Sequence, residues 1–221
     1  MNIVRYLALI FICSWTFYSH AQSKRVNVSG YLKNMQVAVL GSSIDQTQFD
    51  NFFHNRINST STLFKDGFEK HLILRADLRT RLFYGQTVNQ NPLYPEMLDN
   101  SENDYFDLDY VSGGNNGFLL HSVLDRAYLE LKLNKWEIAA GRQRINWGIN
   151  SLWNPNDLFN TFNFTNFDYE EMPGSDALRV RYFRDWDESF DFAIKMFDGW
   201  DNAVLAGKYR FNFKGYDIQV L

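Results

Sequence analysis

Arginine and lysine recur at every second position in several stretches, and this spacing is the clearest chemical signal in the sequence. Alternate residues of a β-strand share a face, so the spacing places the charges on one side of each predicted strand. The predicted charged positions are Arg75, Arg79, Arg81, Arg126, Lys132, Arg179, Arg181, Lys195, Lys208 and Arg210, with the acids Asp77, Glu130, Asp191 and Asp217. Such an excess of bases favours anion passage through a pore. Pairing that merely braces a wall is the alternative.

Signals for catalysis or metal binding are weak. His54, His71 and His121 follow the first 21 residues, widely separated and without the close pairing of metal ligands. His121 precedes Ser122, which would serve a lipase-type hydrolase only if the fold brought a serine and a histidine together. We therefore predict no enzyme, no metal site and no cofactor.

Nine segments with period-two alternation predict an all-β protein. The clearest is Phe68–Gln86, where leucines face one side and charged residues the other. In Phe118–Leu133 the alternation puts Val123 and Asp125 on the apolar face, and we place Asp125 near a membrane interface. The predicted long connections are residues 41–51, 87–117, 148–175 and 198–202, and the short ones are 65–67, 134–135, 184–188 and 213–215.

The alternation of long and short connections favours one architecture. In an up-and-down antiparallel meander all long loops fall on one rim and all short turns on the other, which is typical of a transmembrane β-barrel. Closure into a barrel is what satisfies every strand hydrogen bond in lipid. A secreted β-sandwich is the alternative, since one face of its strands would form the core.

The connection within residues 141–183 is too long for a structureless linker, and we expect it to fold into the barrel mouth as a constriction. Arg142 and Arg144 are in phase with the outward Trp136, so a β-bulge at Gly141 is predicted to turn them inward. Otherwise they would meet lipid headgroups. The predicted constriction residues are Arg142, Arg144, Trp147, Trp153, Asp157, Glu170 and Glu171.

The two ends of the sequence carry further expectations. Residues 1–21 have the pattern of a secretory signal, with Arg5, an apolar core and a small-residue cleavage site at Ala21. Residues 22–221 then form the barrel domain. Single-chain bacterial barrels have an even number of strands, and the ninth segment stops at Leu221. We therefore expect an N-terminal portion of a larger, incomplete barrel.

Several motifs resemble porin-like outer-membrane barrels of Gram-negative bacteria, including alginate-export-type and related porin families. They are SGYLKNMQ (29–36), GRQRINWG (141–148), WNPNDLFN (153–160) and EEMPGSDALRV (170–180). Met172 stands where the usual motif has arginine. The resemblance implies a barrel that resides in the cell outer membrane, but it names no substrate.

The connection 87–117 is acidic, with no base between residues 89 and 110. Its acids are Glu96, Asp99, Glu102, Asp104, Asp107 and Asp109. Their spacing departs from a calcium-binding loop, because Asp104 stands where that loop needs glycine. We interpret the stretch as a solvated acidic loop, with divalent-ion bridging to lipopolysaccharide as the alternative.

Together these patterns predict an outer-membrane channel for passive diffusion of small hydrophilic solutes, with anions as a favoured class. The alternatives are a barrel for surface polysaccharide export or attachment, and a secreted carbohydrate-binding β-sandwich. The expected partners are outer-membrane lipid, lipopolysaccharide, the barrel-assembly machinery and small solutes. A net charge of −4 argues against nucleic acid, which needs a concentrated basic face. The oligomeric state is left open.

Overall fold

The computed structural model describes residues 25–39, 48–67, 69–98, 105–114, 117–148, 158–159, 174–197 and 202–221. These residues form ten strands and two short helices. The strands are β1 (Val26–Val39), β2 (Gln48–Asp66), β3 (Lys70–Gly85), β4 (Asp109–Gly113), β5 (Phe118–Leu133), β6 (Trp136–Gln143), β7 (Ser175–Phe183), β8 (Ser189–Met196), β9 (Ala203–Phe213) and β10 (Tyr216–Val220). The helices, between β3 and β4, are α1 (Gln86–Gln90) and α2 (Tyr94–Leu98).

All ten strands belong to one antiparallel sheet. Neighbours in the sheet follow chain order from β1 to β10, except that β4 lies off this path and pairs only with β5. β4 pairs with the loop end of β5, residues 119–123, and β6 pairs with the opposite end, residues 127–133. β1 and β10 are the edges of the path and do not pair with each other, so the sheet is not closed. The predicted all-β meander is confirmed, with β4 as a strand that the sequence pattern did not reveal.

Tight turns fix the register at the short-connection end. Asn134 has a φ of 49° between β5 and β6. Between β9 and β10, Lys214 has a φ of 52° and Gly215 one of 84°. Left-handed residues match the twist of the flanking strands in two-residue hairpins, which keeps these strand pairs in fixed alignment.

The exposure of the two faces is the reverse of that in a water-soluble sheet, because charged side chains are buried on one face and leucines are exposed on the other. On one side Arg56 is 3% exposed and Asp77 is fully buried. On the other, Leu32 is 71% exposed and Leu205 74%. We call these the charged face and the apolar face. In the described residues no second sheet packs on the apolar face, although burying such a face normally supplies the core of a soluble sheet protein.

A β-bulge in β5 overturns one expectation. Leu78 pairs with Leu124, but its neighbour Asp77 pairs with Arg126, so Asp125 is an extra residue with no opposite partner in β3. The bulge shifts the phase of β5 by one residue, which is how an inserted residue changes the face of a strand. Val123 and Asp125 therefore do not lie on the apolar face, and the predicted position of Asp125 is wrong. Asp125 is 2% exposed.

The bulge predicted at Gly141 is not formed. The register of β6 with β5 and β7 continues unbroken through Gly141 to Arg142, which stays in phase with Ala140. Gly141 nevertheless has a φ of 117°, and a Cβ there would lie 2.3 Å from the carbonyl oxygen of Ala127. A glycine is thus required by close approach of the neighbouring backbone and not by a change of register.

Candidate functional site: the charged face

Five residues form a chain of alternating charge across β2, β3 and β5, which we call the arginine network: Arg75, Asp77, Arg56, Asp125 and Arg79. Arg56 donates to Asp125 through Nη1 at 2.6 Å and lies 3.6 Å from Asp77 through Nη2. Arg79 donates to the other Asp125 oxygen at 3.1 Å, and Arg75 donates to Asp77 at 3.0 Å. Each carboxylate is shared by two guanidinium groups, so the network ties three strands together.

His121 extends this polar region to β4. Its Nδ1 atom accepts hydrogen bonds from Arg81, at 2.7 Å from Nη2, while Nε2 lies 2.5 Å from Asp109. Because a nitrogen that accepts from a guanidinium carries no proton, we assign the ring proton to Nε2. Ser122 lies on the opposite face of β5 and donates to Thr80 at 3.2 Å. His121 and Ser122 are therefore not brought together as a hydrolase pair.

Predicted lining residues divide into buried and exposed groups. Arg79, Arg81, Arg126 and Lys195 are between 2% and 6% exposed. By contrast, the side chains of Arg75, Lys132, Arg181 and Arg210 are 30–43% exposed. Accessible positive charge therefore lies mainly toward the short-turn end, a distinction that alternation cannot reveal.

A single row of alternating charges crosses β5 to β9, and we call it the charge rung. Its members are Lys132, Glu137, Arg181, Asp191 and Lys208, each paired in register with the next. Lys132 Nζ lies 3.3 Å from Glu137, and Arg181 forms a close ion pair with the same carboxylate. Lys208 Nζ lies 4.0 Å from Asp191. Arg56, Glu137 and Asp125 were not among the predicted charged-face residues.

The two predicted residues nearest this rung make further ion pairs. Glu130 accepts a hydrogen bond from Arg181 at 3.3 Å. Arg179 donates to both oxygens of Asp191, at 2.8 and 2.5 Å. Such a two-point contact fixes both position and orientation of the carboxylate. At the edge of the sheet, Arg210 pairs with Asp217 at 3.3 Å, and both side chains are substantially exposed.

The connection between β6 and β7, which we call the central connection, lies on the charged face at residues 144–148 and 158–159. Ile145, Trp147 and Phe159 are each at most 2% exposed and pack with Ala177 and Ala193. Small residues on β7 and β8 leave room for these large side chains, so we call this contact the alanine seat. Within the described residues, the connection packs on the charged face of the sheet, and its folding into a barrel mouth stays a prediction.

Trp147 links the alanine seat to the charge rung. Its indole nitrogen donates to Asp191 at 2.8 Å, and its ring meets Phe159 edge to face, with 5.1 Å between the ring centroids. Lys208 Nζ lies 5.8 Å from the indole centroid. On the other side of the seat, Lys195 donates to the Phe159 carbonyl at 3.1 Å. The connection is thereby held by both apolar and polar contacts.

A second segment that packs on the charged face, which we call the helical cap, consists of α1 and α2. Val88 of α1 is 3% exposed and packs with Phe52, Phe83 and Leu119 of β2, β3 and β5. Tyr94 of α2 meets Phe83 edge to face at 5.6 Å. This part of the connection 87–117 therefore covers apolar side chains of the sheet and is not simply a solvated loop.

Arg142 has a different role from the one predicted. It donates to Asp176 at 3.0–3.1 Å and through Nη2 to the carbonyl oxygen of Phe106 at 2.5 Å. Asp176 in turn accepts from the backbone nitrogen of Phe106 at 2.9 Å. The ion pair thus binds both polar groups of one residue in the connection between β3 and β5, and we call it the Phe106 clamp.

The other predicted constriction residues have mixed outcomes. Trp147 lies at the charged face, as described above. Arg144 is exposed. Trp153, Asp157, Glu170 and Glu171 lie outside the described residues.

Aromatic side chains form a row on the apolar face close to the short turns. Trp136, Tyr182, Phe190 and Tyr209 are consecutive register partners on β6, β7, β8 and β9. Their ring centroids are 4.7 Å apart for the first pair and 4.6 Å for the last. Toward the long loops the same face carries the exposed aromatics Phe49, Tyr84, Tyr110 and Phe118.

Comparisons of the chain with protein-family models, with curated proteins and with solved structures gave no match. Within the described residues, no three His, Cys, Asp or Glu side chains are grouped as a metal site would require. The helices of this part of the chain are too short or too polar to cross a membrane.

Proposed function

We propose that this protein is an outer-membrane β-barrel channel, porin-like in type, for passive diffusion of small hydrophilic solutes, with a preference for anions. The observation that carries the proposal is the inverted sheet, with its charges buried and its leucines exposed. Exposing such an apolar surface to water is unfavourable, whereas a membrane protein has an apolar exterior in contact with lipid around a polar interior. The predicted signal in residues 1–21 supports export.

The dimensions of the apolar face support the same proposal. Leu72 and Tyr84 lie on one face of β3, twelve residues apart. At about 3.4 Å per residue the distance is about 40 Å along the strand, or about 28 Å across a membrane at a tilt of about 45°. A hydrocarbon core is about 30 Å thick. Aromatic residues at both ends of this band are typical of membrane–water interfaces.

The contacts of the two inward segments support a narrow passage. The helical cap covers the charged face over β2, β3 and β5, and the alanine seat anchors the central connection over β7 and β8. Solutes would pass beside these segments, so size selection follows from the space that they leave. Basic side chains along the charged face support the preference for anions.

Detergent extraction and bilayer recording test the proposal. The protein should require detergent for extraction from the outer-membrane fraction, and the purified protein should produce discrete conductance steps in a planar bilayer. Reversal potentials in a KCl gradient should favour chloride. Recovery in a detergent-free soluble fraction would support a secreted protein instead. Membrane residence without conductance would support a role in surface polysaccharide export or attachment.

A further inference from the structure

The geometry points to the charge rung, and not to the buried Arg56 and Arg79 of the arginine network, as the place where solute charge is selected. This inference rests on the proposed channel function and names the residues that would determine its specificity. The rung residues are Lys132, Glu137, Arg181, Asp191 and Lys208, and the class of solute that they favour is small anions, from chloride to short carboxylates. Three of the five are basic and two acidic.

Accessibility separates Lys132 and Arg181 of the rung from Arg56 and Arg79 of the arginine network, whereas Arg75, at the outer end of that network, is 38% exposed. The side chains of Lys132 and Arg181 are 37% and 30% exposed, so water and dissolved ions reach them. Arg56 and Arg79 are 3–5% exposed and each is bound to Asp125. A buried, paired guanidinium strengthens the wall but offers no hydrogen bond to a passing solute. Exposed bases can replace the hydration that an anion loses.

The arrangement of charges makes the rung sensitive to single substitutions. Glu137 lies between Lys132 and Arg181 and pairs with both. Removing its charge would leave Glu130 as the carboxylate that faces both Lys132 and Arg181, and removing the charge of Lys132 would leave Glu137 paired with Arg181 alone. The side chain of Glu137 is 17% exposed, and its partners Lys132 and Arg181 are 37% and 30% exposed. Ion pairs at such partly exposed positions are worth less than buried ones, so these changes should alter the local potential while the sheet stays folded.

The central connection reaches the same level of the charged face. Trp147 donates to Asp191, and Lys208 lies beside its indole ring. A solute that passes the folded connection therefore meets the rung at the point where the connection is anchored. Charge and size would be selected together there.

Reversal potentials of the purified protein in planar bilayers test this inference, with matched variants on β5. Lys132→Gln should lower the chloride-to-potassium permeability ratio about threefold, and Glu137→Gln should raise it about threefold, since local potentials in charged clefts reach several kT. Arg126→Gln removes a base from the same strand and face, but at a buried position, and should change the ratio far less. Lys135→Gln, in the exposed turn, should leave it unchanged.

Equal shifts for Lys132→Gln and Arg126→Gln would overturn the inference while leaving a conducting channel intact. A wild-type protein that does not conduct would instead overturn the proposed function. Thiol labelling then tests the rung separately. In a Cys13→Ser background, Lys132→Cys in lipid vesicles should react with a negatively charged methanethiosulfonate at least about tenfold faster than Arg126→Cys. Equal rates would contradict the accessibility on which the inference depends.

Discussion

The two halves of the charged face are stabilised by different physical means. β2, β3 and β5 bury Arg56 and Arg79 against the carboxylate of Asp125. β7 and β8 present Ala177 and Ala193, on which Ile145 and Trp147 pack. The first half depends on charge balance and the second on volume. The polar face of one sheet can thus be covered either by charged side chains that neutralise one another or by a connection whose apolar side chains pack on it.

The largest expected effect is at Asp125, because the first half depends on charge pairing. Asp125→Asn would remove the carboxylate shared by Arg56 and Arg79 while keeping nearly the same volume. Breaking a buried ion pair costs about 3–5 kcal/mol. Urea unfolding of the protein in lipid vesicles should show a loss of this size in the free energy of unfolding.

The control for Asp125→Asn is an ion pair of the same chemistry at an exposed position. Asp217→Asn would disrupt the Arg210 pair, whose side chains are 43% and 57% exposed. Its cost should be about 0–1 kcal/mol. Equal losses for the two variants would contradict the view that buried charge balance stabilises this half.

A volume change in the alanine seat comes next. Ala193 is 2% exposed beneath Ile145, Trp147 and Phe159, so Ala193→Leu should overpack the contact and cost about 1–3 kcal/mol. Ala140→Leu adds the same atoms on the exposed apolar face, where lipid would accommodate them, and should not lower the free energy of unfolding. Equal free energies of unfolding for Ala193→Leu and Ala140→Leu would show that the alanine seat is not closely packed.

Replacement of Trp147 by phenylalanine separates the polar part of the seat from the apolar part. Trp147→Phe keeps a ring but removes the hydrogen bond to Asp191. The expected loss is about 1.5 kcal/mol, since Asp191 keeps its contacts with Arg179. If the proposed channel function holds, conductance should rise as the connection loosens. The control is Trp186→Phe, at an 87% exposed position, which should change neither the free energy of unfolding nor the conductance. An equal rise in conductance for Trp186→Phe would contradict the role of Trp147 as the anchor of the connection.

The smallest effect is expected at the turn between β7 and β8. Glu188 accepts hydrogen bonds from the Tyr209 hydroxyl at 2.8 Å and from Arg184 at 3.0 Å, and these hold its pKa below the ordinary value of 4.5. A lowered carboxylate pKa stabilises the fold above the ordinary pKa, and the contribution is lost as the pH falls through the lowered value. Glu188→Gln should therefore reduce the acid sensitivity of unfolding below about pH 4.5. An unchanged pH profile would show that the turn contributes nothing.

The sequence predicted the strands, the short turns and most face assignments because each depends on neighbours within one strand. The β5 bulge breaks that local rule, and the signal for it in the sequence was the adjacent charged pair Asp125 and Arg126. Glu137 could have been assigned to the charged face from the same alternation, since it lies between Trp136 and Ile138 of the apolar face.

Contacts between segments that are distant in the sequence could not be predicted from alternation, which reports only on neighbours within one strand. The helices α1 and α2 have five residues each, too few to show a periodicity. The Phe106 clamp joins residues 36 and 70 positions apart. Which predicted bases are buried depends on such contacts, so the difference between Arg126 and Lys132 appears only in three dimensions.

The Phe106 clamp has a consequence for how this part of the chain can evolve. Arg142 and Asp176 bind the backbone carbonyl and backbone nitrogen of Phe106, while its side chain is 54% exposed. Because both contacts are to the backbone, the attachment does not depend on which side chain residue 106 carries. Proline is the exception, since it has no backbone N–H to donate. The side chain at this position is free to diversify under selection while the path of the backbone stays constant.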